Sequence, residues 1–424
     1  MLLLKRHIER KDFLHAIGYR AAEAERMLKA TERTRTIEYA IRDVLAFAKK
    51  VEKQGKKILY LNIGDPCKYD FDTPRYIKTA LLKAVEEGNN WYAPSEGLLE
   101  LREAICEKEQ RVNGVSIQAD DVIVTQGISE GIQMLMAAMV DSGDEVLVPG
   151  PTYPPYMSYV KFYGGKAISY ETTEESGWQP SIEDLRRKIS KKTRAIVIIN
   201  PNNPTGALYD EEVVRTIVDL AGEHSLPLIS DEIYDRIVYR RGFVSAAHIG
   251  GDVPIIGMNG FSKTYLMTGW RLGYMYFHDP EEKLAELKEC VARETRIRLS
   301  ANTPVQKAGA AALRGPQHHI REMAEKLQER RDYAVKRLNH IEGISCAKPE
   351  GAFYVFPKIE GVGTRWKTDK DFARQLLEKT GVLIVHGSGF DETYGVGHFR
   401  AVILPPIETL KTAFDNMENF MLEK

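Results

Sequence analysis

Short, continuously apolar runs alternate with stretches of helical period over most of this chain. Asp121-Val-Ile-Val-Thr125, Glu145-Val-Leu-Val-Pro149, Arg194-Ala-Ile-Val-Ile-Ile199, Leu226-Pro-Leu-Ile-Ser230, Pro254-Ile-Ile-Gly-Met258 and Gly273-Tyr-Met-Tyr-Phe277 read as strands. They show no polar alternation, which marks strands buried on both faces. Gly127-Ile-Ser-Glu-Gly131 turns the first of them into an apolar helix through Met139. Val213, Val214, Ile217, Val218, Leu220 and Ala221 line one face of another helix. This alternation predicts an α/β fold with a mainly parallel sheet covered on both sides. Upstream, Ile37, Ala40, Ile41, Val44, Leu45, Phe47 and Ala48 predict a helix over 36–53, and Ile58–Ile63 a strand ended by Gly64-Asp-Pro66.

Past residue 310 the texture changes. A charged helix over 319–339 is followed by strands over 352–356, 382–385 and 399–404, alternating with helices. This predicts a smaller α+β domain. Residues 1–30, rich in Arg, Glu, Ala and Lys, read as a polar helix or frayed arm without evident chemistry. A start assigned too far upstream, ahead of Met27, is one reading of them.

Composition mostly excludes. Formal net charge is -1 over 424 residues, with both signs interleaved, so no basic patch suggests a nucleic-acid partner. Cys67, Cys106, Cys290 and Cys346 lie far apart and form no C-x-x-C pair, which argues against a zinc site or disulfide framework. That usage fits a reducing cytoplasm. Apolar runs are strand-length, far below the roughly 20 residues that span a bilayer. Met1-Leu-Leu-Leu-Lys-Arg6 is too short a run for a secretory signal.

The candidate chemistry sits where the predicted strands end, which is where ligands bind in such sheets. Asn259-Gly-Phe-Ser-Lys263 follows one apolar run, and Arg271 comes eight positions later between Gly269 and Gly273. A poorly solvated lysine near another cation is partly neutral and can attack a carbonyl to form a Schiff base. Arg271 can hold a phosphate through two parallel hydrogen bonds. Together they suggest pyridoxal phosphate. Taken singly, other candidates have plainer readings: Asp231 as a helix N-cap, Asn203 as a turn residue, Tyr153 and Tyr234 as packing, Arg400 as a strand-edge cation.

Asn203-Pro-Thr-Gly206, Asp231-Glu-Ile-Tyr234, Ser262-Lys263 with Arg271, and Phe399-Arg400 resemble the signature set of fold-type I pyridoxal-phosphate aminotransferases, class I/II. The resemblance covers residues 33–420. It implies an aspartate-aminotransferase-like fold, with a large cofactor-binding domain over 74–309 and a small domain from 31–73 and 310–424, after an extension over 1–30. It implies that Lys263 bonds the cofactor and moves the proton of catalysis, and that Asp231 pairs with the pyridine nitrogen. Tyr234 and Asn203 would bond the 3′ oxygen, and Tyr153 would stack on the ring. Gly127, Ile128, Ser129, Ser262 and Arg271 would hold the phosphate, and Arg400 the substrate carboxylate beside Gly64. Tyr92 would reach the neighbouring site of a homodimer. Where many relatives carry a phosphate-binding serine, three residues before the lysine, this chain has Gly260.

Leu61-Asn-Ile-Gly-Asp-Pro66, Asn259-Gly-Phe-Ser-Lys263, Leu299-Ser-Ala-Asn302 and Gly397-His-Phe-Arg-Ala-Val-Ile-Leu-Pro-Pro406 are similar to alanine aminotransferases. The second arginine of aspartate enzymes falls here at Ile297, flanked by Arg296 and Arg298. The resemblance implies L-alanine and 2-oxoglutarate as substrates. The alternatives are aspartate or aromatic aminotransfer, or Cβ–S cleavage on the same scaffold.

Overall fold

The computed structural model describes residues 29–35, 37, 39–240 and 242–423. The arm expected over 1–30 thus lies almost wholly outside the described residues. Residues up to 38 form a unit distinct from Tyr39–Lys424, and within it Glu32–Arg35 make one helical turn.

In the second unit the first helix, α1, is Ala40–Lys53, shorter than the apolar spacing predicted. Strand β1 is only Leu59–Tyr60. Helices α2 (Arg75–Glu86) and α3 (Leu99–Lys108) follow. The sheet region then runs β2 (Val122–Thr125), α4 (Ile128–Met139), β3 (Glu145–Gly150), α5 (Pro154–Phe162), β4 (Lys166–Glu171), α6 (Ile182–Lys188), β5 (Thr193–Ile199), α7 (Glu211–Glu223), β6 (Leu228–Asp231), β7 (Ile255–Gly260) and β8 (Gly273–His278). After it come α8 (Ala285–Arg298), α9 (Thr303–Arg314), α10 (His318–Leu338), β9 (Ile344–Ser345), β10 (Tyr354–Val355), β11 (Lys358–Ile359), α11 (Asp369–Thr380), β12 (Val382–Leu383), β13 (Val385–His386), β14 (Phe399–Val402) and α12 (Ile407–Leu422).

Seven strands form one sheet in the order β2-β8-β7-β6-β5-β3-β4. Five neighbouring strands, β7 to β4, pair in parallel. Only β8 runs against its neighbours, β2 and β7. Edge strand β4 was not legible: Lys166, Ser169 and Glu171 interrupt its apolar pattern because its side chains are mostly half-buried. Strand residues alternate between two apolar clusters. Val124, Leu147, Ile196, Ile198 and Leu228 join α3, α7 and α9 on one side, while Ile123, Val146, Val148, Val197, Ile229 and Ile256 join α4, α5 and α8 on the other. That two-sided burial is why these runs lack polar alternation.

A third cluster gathers α10, α11 and α12 with Phe353, Tyr354, Phe399 and Ala401. Here β1 pairs in parallel with β12, and β10-β14-β13 form a small antiparallel sheet. The strands predicted over 352–356 and 399–404 shrink to their paired residues, and that over 382–385 divides into β12 and β13.

Gly257 faces Tyr276 across β7 and β8, and a Cβ at 257 would overlap the tyrosine ring. Overpacking a filled site costs about 1–3 kcal/mol. Gly257→Ala should therefore lower the midpoint of thermal unfolding by about 1–3 °C, at roughly 1 °C per kcal/mol in a chain of 424 residues. An unchanged midpoint in a calorimetric scan would show that the ring is free to move aside.

Candidate active site

Because β8 is reversed, its first residue lies at the edge where β2 and β7 end. At that edge three glycines bring three backbones together. Gly260 pairs with Gly273, and a Cβ on Gly273 would stand 2.8 Å from the Gly127 carbonyl carbon and the Ile128 nitrogen. Gly260 has the same restriction, since its Cβ would lie 3.1 Å from Gly273 Cα. A serine there would need its neighbours to give by a few tenths of an ångström.

Helix α4 starts at this junction. Its N-cap, Gly127, provides no side-chain cap, so the Ile128 and Ser129 N–H groups and the helix dipole face outward as an anion site. A Cβ on Gly127 would overlap the Arg271 guanidinium, which places that arginine over the helix terminus. Arg271 itself adopts left-handed backbone geometry, φ 55°, with Nη1 donating to the Thr268 carbonyl at 3.0 Å and lying 3.4 Å from Ser262 Oγ. Three expected phosphate contacts, from α4, Ser262 and Arg271, are thus brought together. They fit a phosphate by charge and donor geometry.

Lys263 Nζ donates to the Gly64 carbonyl at 2.6 Å and lies 5.5 Å from the Phe353 ring centroid. Burial pushes its amine down to about 8; Asp65 opposes the shift, while Arg400 and Arg271 reinforce it. A substantial fraction is therefore neutral near physiological pH. Gly64 enters the site through its carbonyl. A side chain there would overlap the Tyr354 hydroxyl.

Asp231 ends β6 and is 3% exposed. Oδ2 accepts from the Tyr156 hydroxyl at 2.9 Å, and Oδ1 from the Ile233 N–H at 3.2 Å. The capping alternative is thus realised only as a local turn bond. Burial pushes the carboxyl up to about 6 against both hydrogen bonds. A buried carboxylate with a raised pKa is stabilised by an adjacent cation, so this site suits a protonated pyridine.

Arg400 is 1% exposed. Nη1 donates to Asn203 Oδ1 at 2.9 Å, Nη2 donates to the Asn62 carbonyl, and Nε has no partner. Its guanidinium lies 4.5 Å from the Tyr354 ring centroid and 4.8 Å from that of Phe390. Tyr234 shares a 2.7 Å hydrogen bond with Tyr354, and Tyr153 lies 3.4 Å from the Tyr39 hydroxyl. Tyr92 is 79% exposed beside Trp91, so its side chain projects from this chain instead of packing within it.

Sequence reasoning missed Tyr39, Asn62, Tyr156 and Tyr354. Tyr156 lies three residues after Tyr153 on α5, a helical spacing that could have suggested a shared face. Tyr354 reads as one more core aromatic of an apolar strand.

The family profile described as "Aminotransferase class I and II" matches residues 56–415. The chain belongs to that family. The glutamate-pyruvate aminotransferase AlaA of Haemophilus influenzae is 38% identical over 88% of this chain and 93% of its own. The alanine aminotransferase of Mycobacterium tuberculosis is 36% identical over 94% of both. The solved alanine aminotransferase from Pyrococcus furiosus is 56% identical with TM-score 0.91, covering 93% of this chain and all of that one. An aspartate aminotransferase structure from Thermus thermophilus is 34% identical with TM-score 0.85, covering 92% and 99%.

The chain is thus a transaminase of the alanine-aminotransferase-like branch, with an aspartate-aminotransferase-like fold, and its family depends on pyridoxal 5′-phosphate. The arginines flanking Ile297 are both engaged within this chain. Arg296 bonds Glu289 at 3.1 Å; Arg298 bonds Glu130 at 2.8 Å and the Ser95 carbonyl at 2.9 Å. Ile297 itself is 85% exposed.

The Tyr156 bond to this transaminase's Asp231 can be weighed directly. A hydrogen bond to a charged group contributes about 1.5–3 kcal/mol, or roughly one to two pH units. Tyr156→Phe should raise the Asp231 carboxyl by that amount. Infrared titration of the cofactor-free protein, with Asp231→Asn to assign the band, measures it; an unmoved midpoint would mean that the hydroxyl does not hold the carboxylate.

Proposed function

We propose that this enzyme transfers the amino group of L-alanine to 2-oxoglutarate, giving pyruvate and L-glutamate by a ping-pong sequence. The observation that carries the choice of alanine is the 56% identity with the Pyrococcus furiosus alanine aminotransferase across nearly the whole chain. Ile297, in place of a second arginine, supports it. An aspartate side-chain carboxylate would lack a cation there.

Pyridoxal phosphate supplies the electron sink for the charge left at the substrate α-carbon. This chain's residues do the rest. Arg271, Ser262 and the first N–H groups of α4, at Ile128 and Ser129, hold the phosphate. Asp231 would pair with the protonated pyridine nitrogen. Asn203 and Tyr234 would hold the 3′ oxygen, and Tyr153 would lie against the ring. Arg400 grips the substrate α-carboxylate beside Gly64. With the cofactor bound, the Lys263 amine would be the group that moves the substrate α-proton; its pKa of about 8 suits a base working near neutrality.

We further propose a large domain over 74–309 and a small domain from 31–73 and 310–424. Arg400, from the small domain, would draw the two together when substrate binds. The enzyme works in the cytoplasm as a homodimer in which Tyr92 completes the neighbouring subunit's phosphate site. No described helix is long and apolar enough to cross a membrane, and all four cysteines are unpaired.

The visible spectrum of the purified enzyme tests the reaction. The expected yellow band fades with L-alanine, returns with 2-oxoglutarate and is absent from Lys263→Ala. A band that aspartate bleaches clearly faster than alanine would refute the substrate. A colourless protein that gains no band from added pyridoxal phosphate would refute the site. For the dimer, Lys263→Ala and Tyr92→Ala chains co-expressed as a hybrid should regain about half of one wild-type site pair, because one of the two sites keeps both residues. Activity no greater than that of the separate variants would place Tyr92 outside the neighbouring site.

A further inference from the structure

Beneath the site lies a buried ionic cluster that the reaction above leaves unused. Lys108 and Glu109, where α3 passes into a short π-helical turn, meet Asp235, Asn113, Asn259 and Tyr274. None of the six is more than 8% exposed. Asp235 Oδ2 accepts from Lys108 Nζ at 2.5 Å, from Asn259 Nδ2 at 3.0 Å and from Asn113 Nδ2 at 3.2 Å. Glu109 Oε1 accepts from Lys108 at 2.9 Å and from the Tyr274 hydroxyl at 2.5 Å, while its Oε2 accepts from Asn113 at 2.6 Å. Burial opposes the charge on Lys108, but Asp235 and Glu109 outweigh it and hold the ammonium above its ordinary pKa.

Burying two carboxylates and one ammonium is expensive, and apolar residues of the same volume often stabilise a core more. The cluster's position suggests what the arrangement is for. Asp235 is four residues after Asp231, and Asn259 is four residues before Lys263. The Asn259 side chain joins the two segments: its amide nitrogen donates to Asp235, and its oxygen accepts from the Gly260 N–H at 2.7 Å. That second bond sits on the glycine that begins the lysine loop. Asp235 is tied back toward Asp231 by its own N–H, which donates to the Glu232 carbonyl at 3.0 Å. Tyr274, on β8, extends the cluster to the strand that follows Arg271.

We propose that the Asp235–Asn259 hydrogen bond, charged by Lys108, is a strut that sets the spacing between Asp231 and Lys263. These two groups must act on opposite ends of one cofactor ring. Asp235, Asn259 and Lys108 are positioning residues and touch neither cofactor nor substrate. The proposal rests on the roles given above to Asp231 and Lys263.

The test uses holoenzyme carrying Asn259→Ala, Asp235→Ala, or the exchanged pair Asn259→Asp with Asp235→Asn, which re-forms the bond with its partners reversed. Val218→Ala, in the core of α7, controls for loss of stability alone. Each alanine variant should move the pH midpoint of the holoenzyme's visible band by about half a unit or more. Each should also lower kcat roughly tenfold with KM changed less than about threefold. The exchanged pair should return both values most of the way, and Val218→Ala should change only the thermal midpoint.

Alanine variants that lose thermal stability but keep the band midpoint and kcat would overturn the strut. So would a folded exchanged pair no better than the single variants. If Asp235→Ala yields no folded protein, Asn259→Ala, which keeps the Lys108–Asp235 ion pair, carries the test with the exchanged pair. A wild-type band that ignores every amino donor would instead refute the proposed reaction and leave the strut measurable through the band midpoint.

Discussion

The contact of three backbones at Gly127, Gly260 and Gly273 constrains everything else at this site. A Cβ on Gly273 would overlap the Gly127 and Ile128 backbone, and one on Gly260 would press against Gly273 at 3.1 Å. Strands β2, β8 and β7 can therefore close at one edge, with the start of α4 against them. The closure presents uncapped helix N–H groups to the open side and brings in Arg271 from the loop before β8. Had β8 run parallel to β7, the eight residues after Lys263 would have had to cross the sheet, and Arg271 would have lain at its opposite edge. The reversed strand is thus what brings a lysine and an arginine so near in sequence to the same edge of the sheet.

Around that closure, the electrostatics are opposed in a way that suits proton transfer. Burial discourages charge on both Lys263 and Asp231, lowering one pKa and raising the other. Arg400 and Arg271 add to the effect on the lysine. The carboxyl is restrained by Tyr156. Opposed shifts of this kind, set by burial beside specific charges, mark a functional site. Two non-glycine residues of the same loop, Leu266 and Arg271, have left-handed backbone geometry. Such geometry costs on the order of 1 kcal/mol or more per residue and persists where tertiary contacts enforce it. The Leu266 carbonyl accepts from Thr73 Oγ1 and Cys67 Sγ, which supply such contacts.

Much of the fold was legible because two-sided burial leaves a plain mark. A strand covered on both faces is apolar along its middle, and β2, β3, β5, β6, β7 and β8 are, with their polar residues near the ends. Where burial is one-sided or partial the mark fades. Edge strand β4 carries polar residues and was missed, and the short strands β1, β10 and β12 to β14 had poorly defined ends. Lys263, Asp231, Asn203, Arg271 and Arg400 could be singled out because each lies in a motif near a strand end. Tyr156, Tyr354, Asn62 and Tyr39 could not, since nothing adjacent to them in the chain distinguishes them from packing residues.

By itself, then, the sequence determined the sheet's character, the edge at which chemistry gathers and the residue types available there. These follow from local periodicity and from turns whose neighbours in space are neighbours in the chain. The tertiary structure alone decided which polar groups meet. Asn203 faces Arg400 across 197 residues, Lys263 faces Gly64 across 199, and Lys108 faces Asp235 across 127. A buried polar atom must find a partner, but its own stretch of chain does not say which. That choice is made when the sheet closes and its helices pack, because only then are the competing partners excluded.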